Sequence, residues 1–268
     1  MRVVLTIAVS VFRESVRDKV LYNLVFFAVL LIGASYLIGQ LTAGQDVKII
    51  KDLGLSAISG FGLFMAVFIG IGLVSKEVDR RSIYSVLAKP IHRHTFILGK
   101  YLGLLLTLAI NIAVMALALY AVLGCMSWTE SAEFKKGWEA AATDPAMLKA
   151  IGLIWLQLAM VTVVALFFST FSSPLLSAAL TFGIFIAGQF SAELNQFEQV
   201  VDSPLAGYLT RGLYFVIPNL GIFDVKAQVV HAQPVTWGYI GVTSAYGVTY
   251  VAALLTAAMW IFSRRDFK

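Results

Sequence analysis

Charged residues are absent from four long stretches of this chain, and that absence constrains the fold more than any motif. No Asp, Glu, Lys or Arg occurs in residues 20–45, 53–75, 101–129 or 150–192. Each stretch is longer than the ~20 apolar residues with which an α-helix crosses a bilayer. Only 13% of all residues are charged, whereas soluble domains have ~25%. Part of the solvent must therefore be lipid. In lipid, runs of this length form helices, because a helix pairs its own backbone N–H and C=O groups in hydrogen bonds.

The apolar pattern predicts an all-α membrane protein, with a single transmembrane domain over residues 1–268. Block 150–192 is too long for one helix, and Ser172-Ser173-Pro174 divides it, because proline ends the preceding helix. The six predicted transmembrane helices are Tyr22–Gln40, Leu55–Val74, Thr95–Leu123, Ile151–Phe171, Leu175–Ser191 and Tyr239–Phe262.

Two segments outside the spans are predicted to lie at the membrane surface. Residues 1–19 form an amphipathic pattern that predicts an interfacial elbow helix. Its apolar face holds Val3, Val4, Ile7, Ala8, Val11 and Phe12. A signal peptide is the rival interpretation, but no small-residue cleavage pattern is evident and a full span follows at once. Residues 192–238 include an apolar run, 205–220, that is short and carries Arg211, so we expect a re-entrant or interfacial helix there.

Lysine and arginine counts predict the orientation in the membrane. The side with both termini and the loop 76–100 has 13 Lys/Arg and 5 Asp/Glu, and the other side has 7 and 10. The positive side should be cytoplasmic, which places both termini on the cytoplasmic side of the cytoplasmic (inner) membrane and residues 192–238 on the outer side. The basic residues flank the spans and form no exposed basic domain, so we expect no nucleic-acid partner.

The loop 76–94 has the pattern of a short helix that is held between two spans. Glu77 and Arg81 are four residues apart in the favourable order, and Ile83 and Leu87 add a small apolar stripe. Pro90 ends the predicted helix. The plainer alternative is an ordinary cytoplasmic loop that obeys the positive-inside rule. The combination of helix, stripe and stop favours a docking surface for a cytoplasmic protein.

The sequence from Lys76 to Gly103 resembles the first cytoplasmic loop of permeases in the type-2 ATP-binding-cassette (ABC) exporter family. The matching residues are Glu77, Arg81, Ser82, Leu87, Pro90, Ile91, Arg93, Gly99 and Lys100. The elbow, the six spans and the outer segment follow in the family's order. Residues 214–226, YFVIPNLGIFDVK, resemble the branch associated with multicopper-enzyme maturation. Ser82-Ile83 departs from the Gly-Thr that the family often has.

The resemblance implies an exporter permease whose loop 76–94 is a coupling helix in the cleft of a separate ATPase. The implied coupling residues are Glu77, Asp79, Arg80, Arg81, Ile83, Leu87, Pro90 and Arg93. It also implies two permease copies, identical or similar, and two ATPases that bind ATP and Mg²⁺. The substrate path would lie between the permeases near the first, second and fifth spans. Its candidate residues are Asn23, Tyr36, Ser59 and Gln189.

Motifs of catalysis are missing from the chain, so we expect a non-catalytic subunit without cofactor or metal. Gly99-Lys100-Tyr101 lacks the upstream glycine and the hydroxyl of a phosphate-binding loop. The single Cys125 provides no cysteine cluster for a metal. Polar residues in the spans, Gln157 and Gln189 among them, are more typical of helix–helix hydrogen bonds than of ligand sites. Glycines are predicted close-packing points at Gly60, Gly62, Gly70, Gly72, Gly99 and Gly103.

Two other functions fit the same pattern. An ATP-independent carrier would transport substrate alone, although uncharged spans disfavour proton coupling. An ABC-type subunit could instead transmit force through residues 192–238 to an extracytoplasmic accessory protein, without solute flux.

Overall fold

The computed structural model describes residues 2–41, 45–79, 93–131, 135, 138, 141–191 and 217–264, with the backbone alone for 73–79, 93, 263 and 264. Eight α-helices lie in these ranges: α1 Arg2–Ser15, α2 Lys19–Gln40, α3 Asp46–Asp79, α4 Arg93–Thr129, α5 Ala146–Ser169, α6 Pro174–Gln189, α7 Lys226–Val230 and α8 Trp237–Arg264. A 3-10 turn, Gly221–Phe223, precedes α7. No strand occurs in the described part of the chain.

Five of the helices in the described ranges are long and apolar enough to cross a membrane: α2, α3, α4, α5 and α8. They correspond to five of the six predicted spans. The fifth predicted span, Leu175–Ser191, is the 16-residue helix α6. At 1.5 Å per residue α6 is ~24 Å long, which is less than the ~30 Å hydrocarbon core. The sixth crossing therefore stays a prediction.

Helix boundaries follow local signals in the sequence. The Asp18 carboxylate accepts a hydrogen bond from the Val20 amide (3.0 Å) and caps α2. Pro174 occupies the first turn of α6, with Ser173 extended before it. The predicted break between the fourth and fifth spans is thus confirmed. The α3 helix is longer than the predicted span, since it begins at Asp46 and continues to Asp79.

Helix α5 forms the centre of the bundle. In its most apolar part 72% of the residues are buried, against 22% for α2 and for α8. It packs against α3, α4, α6 and α8. A helix that is apolar around its whole circumference belongs in such an interior position. The exposed apolar residues of α2, α6 and α8 point away from this centre, as expected of surfaces that face lipid or another subunit.

Two lysines are buried within the bundle. Lys51 of α3 is fully buried, and its Nζ donates to the Ala141 carbonyl at 2.8 Å. Lys100 of α4 is 2% exposed, with its Nζ 4.5 Å from the centre of the Phe96 ring. A buried ammonium needs such partners because its desolvation is costly.

Candidate coupling site and translocation surface

The amphipathic helix α1 packs against the start of α4 through two glycines. A Cβ atom at Gly99 would lie 2.8 Å from Ile7 Cβ. A Cβ at Gly103 would lie 2.6 Å from the Ala8 carbonyl oxygen and 2.7 Å from Val11 Cβ. Only glycine allows the two backbones to approach this closely. The predicted close-packing role of Gly99 and Gly103 is confirmed, and their partner is helix α1.

The end of the bundle where α3 ends and α4 begins is called the loop end. Three helices meet here. Helix α1 packs on α4, and Phe96 of α4 stacks on Phe262 of α8, with ring centroids 6.2 Å apart. The Lys100 ammonium lies over the Phe96 ring. The first turns of α4 are therefore fixed on both sides.

A groove of about 250 Å³ opens at the loop end between the α1–α2 turn and α3. Glu14, Ser15 and Asp18 supply its polar residues, and Phe68 and Ile69 supply part of its apolar wall. The groove lies beside the chain segment that leads through α3 to Asp79. Acidic groups at its rim match a basic or hydrogen-bonding surface.

The predicted coupling residues fall mainly outside the described residues. Glu77 and Asp79 belong to the last turn of α3, and Arg93 is the first residue of α4, with their side chains not described. Arg80, Arg81, Ile83, Leu87 and Pro90 lie outside the described residues. The predicted coupling helix is thus untested, while the helices on both sides of it are described.

The four predicted path residues do not form one cluster. Asn23 and Tyr36 lie 13 positions apart on α2, which corresponds to ~20 Å along the helix axis. Asn23 is exposed, whereas Tyr36 is half-buried and packs against the core. Ser59 is half-buried on α3. Gln189 is at the last residue of α6.

A stripe of residues that are exposed, apart from the half-buried Gly60, lies on α3, the helix on which α2 and α6 both pack. Its members recur every four residues: Asp52, Ser56, Gly60, Phe64 and Phe68. The Phe64 ring contacts Phe182 of α6, with centroids 5.8 Å apart. Gly60 has no heavy atom within 4 Å of an added Cβ, so its predicted close-packing role is wrong within this subunit, whereas Gly62 and Gly70 do pack closely on α5.

Gln189 takes part in a buried hydrogen-bond network that sequence reasoning found only in part. The Gln157 Nε2 donates to Gln189 Oε1 (3.1 Å) and to the Leu220 carbonyl (3.0 Å). Gln189 Nε2 in turn lies 3.4 Å from Asp224 Oδ2, and Lys226 pairs with the same carboxylate. The predicted helix–helix role of both glutamines is confirmed. Asp224 was missed, since it lies outside every apolar run.

The buried lysines were also missed, although a periodic signal was present. Lys51 is four residues after Val47 and four before Leu55, both of which are buried. Lys100 likewise lies three residues after Ile97 and four before Leu104. Charge on an otherwise apolar helical face is the pattern that could have identified both.

Residues 5–267 match a family model described as ABC-2 family transporter protein. No curated protein matched the chain.

Proposed function

The chain belongs to the ABC-2 transporter family, and we propose that a separate cytoplasmic ATPase drives it to move substrate outward. Membership of this family implies that the chain is a multi-pass membrane component of an ABC transporter, which works with an ATP-binding-cassette ATPase. Outward transport, coupling through residues 76–94 and the number of copies are the proposed parts. The observation that carries the proposal is the fixed base from which the 80–92 segment emerges, between α3 and α4.

A stiff base is what a coupling segment requires. The helix α3 runs without interruption from Asp46 to Asp79, so a displacement at its loop end is carried along the whole helix. On the other side, α1 holds the first turns of α4 through Gly99 and Gly103. The side chains between packed helices leave little free volume and are barely compressible. Movement at 80–92 would therefore shift α3, α4 and α1 together. A cytoplasmic loop that only connects two spans needs no such support.

Orientation and assembly complete the proposal. The excess of Lys and Arg supports placing the loop end and both termini in the cytoplasm. Two copies of the chain, or this chain and a similar one, would pair through the exposed surfaces of α2, α3 and α6. The stripe on α3 and the residues Asn23, Tyr36, Ser59 and Gln189 would lie near the substrate path. The multicopper-maturation branch remains a proposal that rests on residues 214–226.

In this proposal the partner ATPase binds and hydrolyses ATP. Two ATPase subunits would bind ATP and Mg²⁺, and this chain would contribute no catalytic residue. Their closure would pull the two 76–94 segments together, and α3 would transmit the movement to the path. The energy is thus supplied as mechanical displacement of a non-catalytic subunit.

The coupling segment is tested by the charge reversal Glu77→Lys. The tagged full chain is purified in mild detergent with its co-expressed ATPase, and substrate-independent ATP hydrolysis is measured with and without the membrane subunit. We expect Glu77→Lys to reduce co-purification and ATPase stimulation by roughly tenfold, as the loss of ~1.4 kcal/mol of interface energy would do.

The matched control is Glu130→Lys, which reverses a charge at the other end of the bundle, after α4. Membrane insertion and expression of both variants should equal those of the unmodified chain. Equal stimulation in Glu77→Lys and Glu130→Lys would refute the assignment of this loop. Transport by the chain alone in liposomes would support the ATP-independent carrier.

A second candidate function is transmission of force to an extracytoplasmic partner without solute flux. The hydrogen-bond network favours this candidate, because Gln157 of α5 and Gln189 of α6 connect these helices to residues 220–226. Stoichiometric binding of an accessory protein that is lost on mutation of this segment, with no measurable flux, would favour it over export.

A further inference from the structure

A second groove lies at the end of the bundle opposite the loop end, between the start of α5 and the start of α8. Its volume is about 860 Å³, within the ~300–1,000 Å³ range of ligand sites. Leu148, Gly152 and Leu156 line it from α5, and Ile240 and Val248 line it from α8. It is separate from the α3 stripe and from the loop-end groove. Nothing in the proposed transport function uses it.

The mouth of this groove holds a cation that has no carboxylate partner among the described residues. Lys149 Nζ donates to the Val235 carbonyl at 2.8 Å and lies 4.7 Å from the centre of the Trp237 ring. Both partners are uncharged, so neither of them compensates the ammonium. An ammonium has three donors, and the phosphate of an amphiphile is a suitable acceptor for those that remain.

The one acidic residue that lines the groove is already compensated. Asp144 Oδ1 accepts the Ala146 amide at 2.8 Å at the start of α5, where the helix dipole favours negative charge. The buried ammonium of Lys51 also interacts electrostatically with Asp144. The mouth therefore has a net positive character from Lys149, and charge complementarity favours an anionic group.

The depth of the groove matches one leaflet of a bilayer. Trp237 is 74% exposed and Trp128, at the same end of the bundle, is 92% exposed, as is typical of tryptophans at the membrane–water interface. From Trp237 to Val248 the helix rises by ~16 Å, about half of the ~30 Å hydrocarbon core. A charged mouth at the interface and an apolar wall below it match a lipid headgroup and an acyl chain.

We propose that this groove binds one anionic phospholipid of the leaflet at that end of the bundle. The phosphate contacts Lys149, and an acyl chain lies against Gly152, Leu156 and Val248. The site does not depend on the direction of transport or on the coupling loop. Failure of the Glu77→Lys test would therefore leave this proposal intact, and the reverse also holds.

Native mass spectrometry of the delipidated full chain tests the site directly, with phosphatidylglycerol as the probe and phosphatidylcholine as the zwitterionic comparison. Gly152 has no heavy atom within 4 Å of an added Cβ, so Gly152→Leu fills the groove without a backbone clash. We expect this variant to lower the affinity of the first bound phosphatidylglycerol at least tenfold. Lys149→Gln keeps a donor for the Val235 carbonyl and should abolish the preference over phosphatidylcholine.

Gly33→Leu is the matched control, because Gly33 of α2 is also open at its Cβ and lies outside the groove. It should bind phosphatidylglycerol as the unmodified chain does. Equal loss in Gly33→Leu and Gly152→Leu, equal binding of both lipids by the unmodified chain, or unchanged binding in Gly152→Leu and Lys149→Gln would each overturn the proposal. Circular dichroism of each variant establishes that it is folded.

Discussion

At the scale of single residues, Gln157 connects three parts of the chain that are distant in sequence. Its amide donates to Gln189, 32 positions away, and to the Leu220 carbonyl, 63 positions away. Gln157 is only 3% exposed, so these groups have no water to replace a lost partner. The side chain therefore fixes the position of residues 217–230 on the bundle.

We predict that Gln157→Leu loosens this attachment. The substitution leaves the Leu220 carbonyl and Gln189 Oε1 without their donor, at a cost of about 1–3 kcal/mol. Hydrogen–deuterium exchange of residues 218–230 should become roughly tenfold faster or more, while exchange in α1 is unchanged. The control Gln40→Leu alters an exposed glutamine at the end of α2 and should leave exchange of the segment as it was. Equal protection in both variants would contradict the role of Gln157.

At the scale of helices, the contact between α1 and α4 depends on two small residues. Gly99 and Gly103 are one turn apart on α4, and each faces backbone or Cβ atoms of α1. The charged residues Arg13 and Glu14 of α1 stay exposed. Helix α1 is thus attached to α4, the helix that follows the proposed coupling segment.

We predict that Gly103→Leu detaches α1 from α4. The new side chain would overlap Ala8 and Val11, and overpacking of this kind costs about 1–3 kcal/mol. The thermal midpoint in detergent should fall, and a Val11→Cys reporter in a Cys125→Ser background should become accessible to a thiol reagent. Gly124→Leu lies on the same helix with open space around its Cβ, and it should change neither quantity. An inaccessible reporter in Gly103→Leu would refute the close contact.

At the scale of the whole molecule, the two ends of the bundle are built from different elements. The loop end holds α1, the end of α3 and the start of α4, whereas the opposite end holds the 217–237 segment and Trp237. The proposed orientation places these two ends on opposite sides of the membrane. This placement decides which end the ATPase can reach.

We predict that a cysteine at Gln233, which is exposed beside α8, is labelled from outside. In a Cys125→Ser background, Gln233→Cys should react with a membrane-impermeant maleimide in intact cells. Arg13→Cys, at an exposed position of α1, should react only after the cells are permeabilised. The opposite pattern would reverse the orientation and exclude cytoplasmic coupling through residues 76–94.

The sequence by itself determined where the chain meets lipid and where several helices end. Charge is too costly in a hydrocarbon environment to be scattered at random, so uncharged runs indicate the spans, and Pro174 favours a break before the helix that it opens. These are local effects, which is why the break was predictable to within about two residues: α5 ends at Ser169 and α6 begins at Pro174, against predicted limits of Phe171 and Leu175.

Only the tertiary structure decided which polar groups are buried and what they contact. Lys51 meets Ala141 and Gln157 meets Gln189 because distant helices pack together, and no local rule selects a partner 32 or 90 positions away. The same reason explains why Gly103 packs on α1 while Gly60 faces open space. A glycine or a lysine has one local chemistry, but its role depends on the surface that the fold places against it.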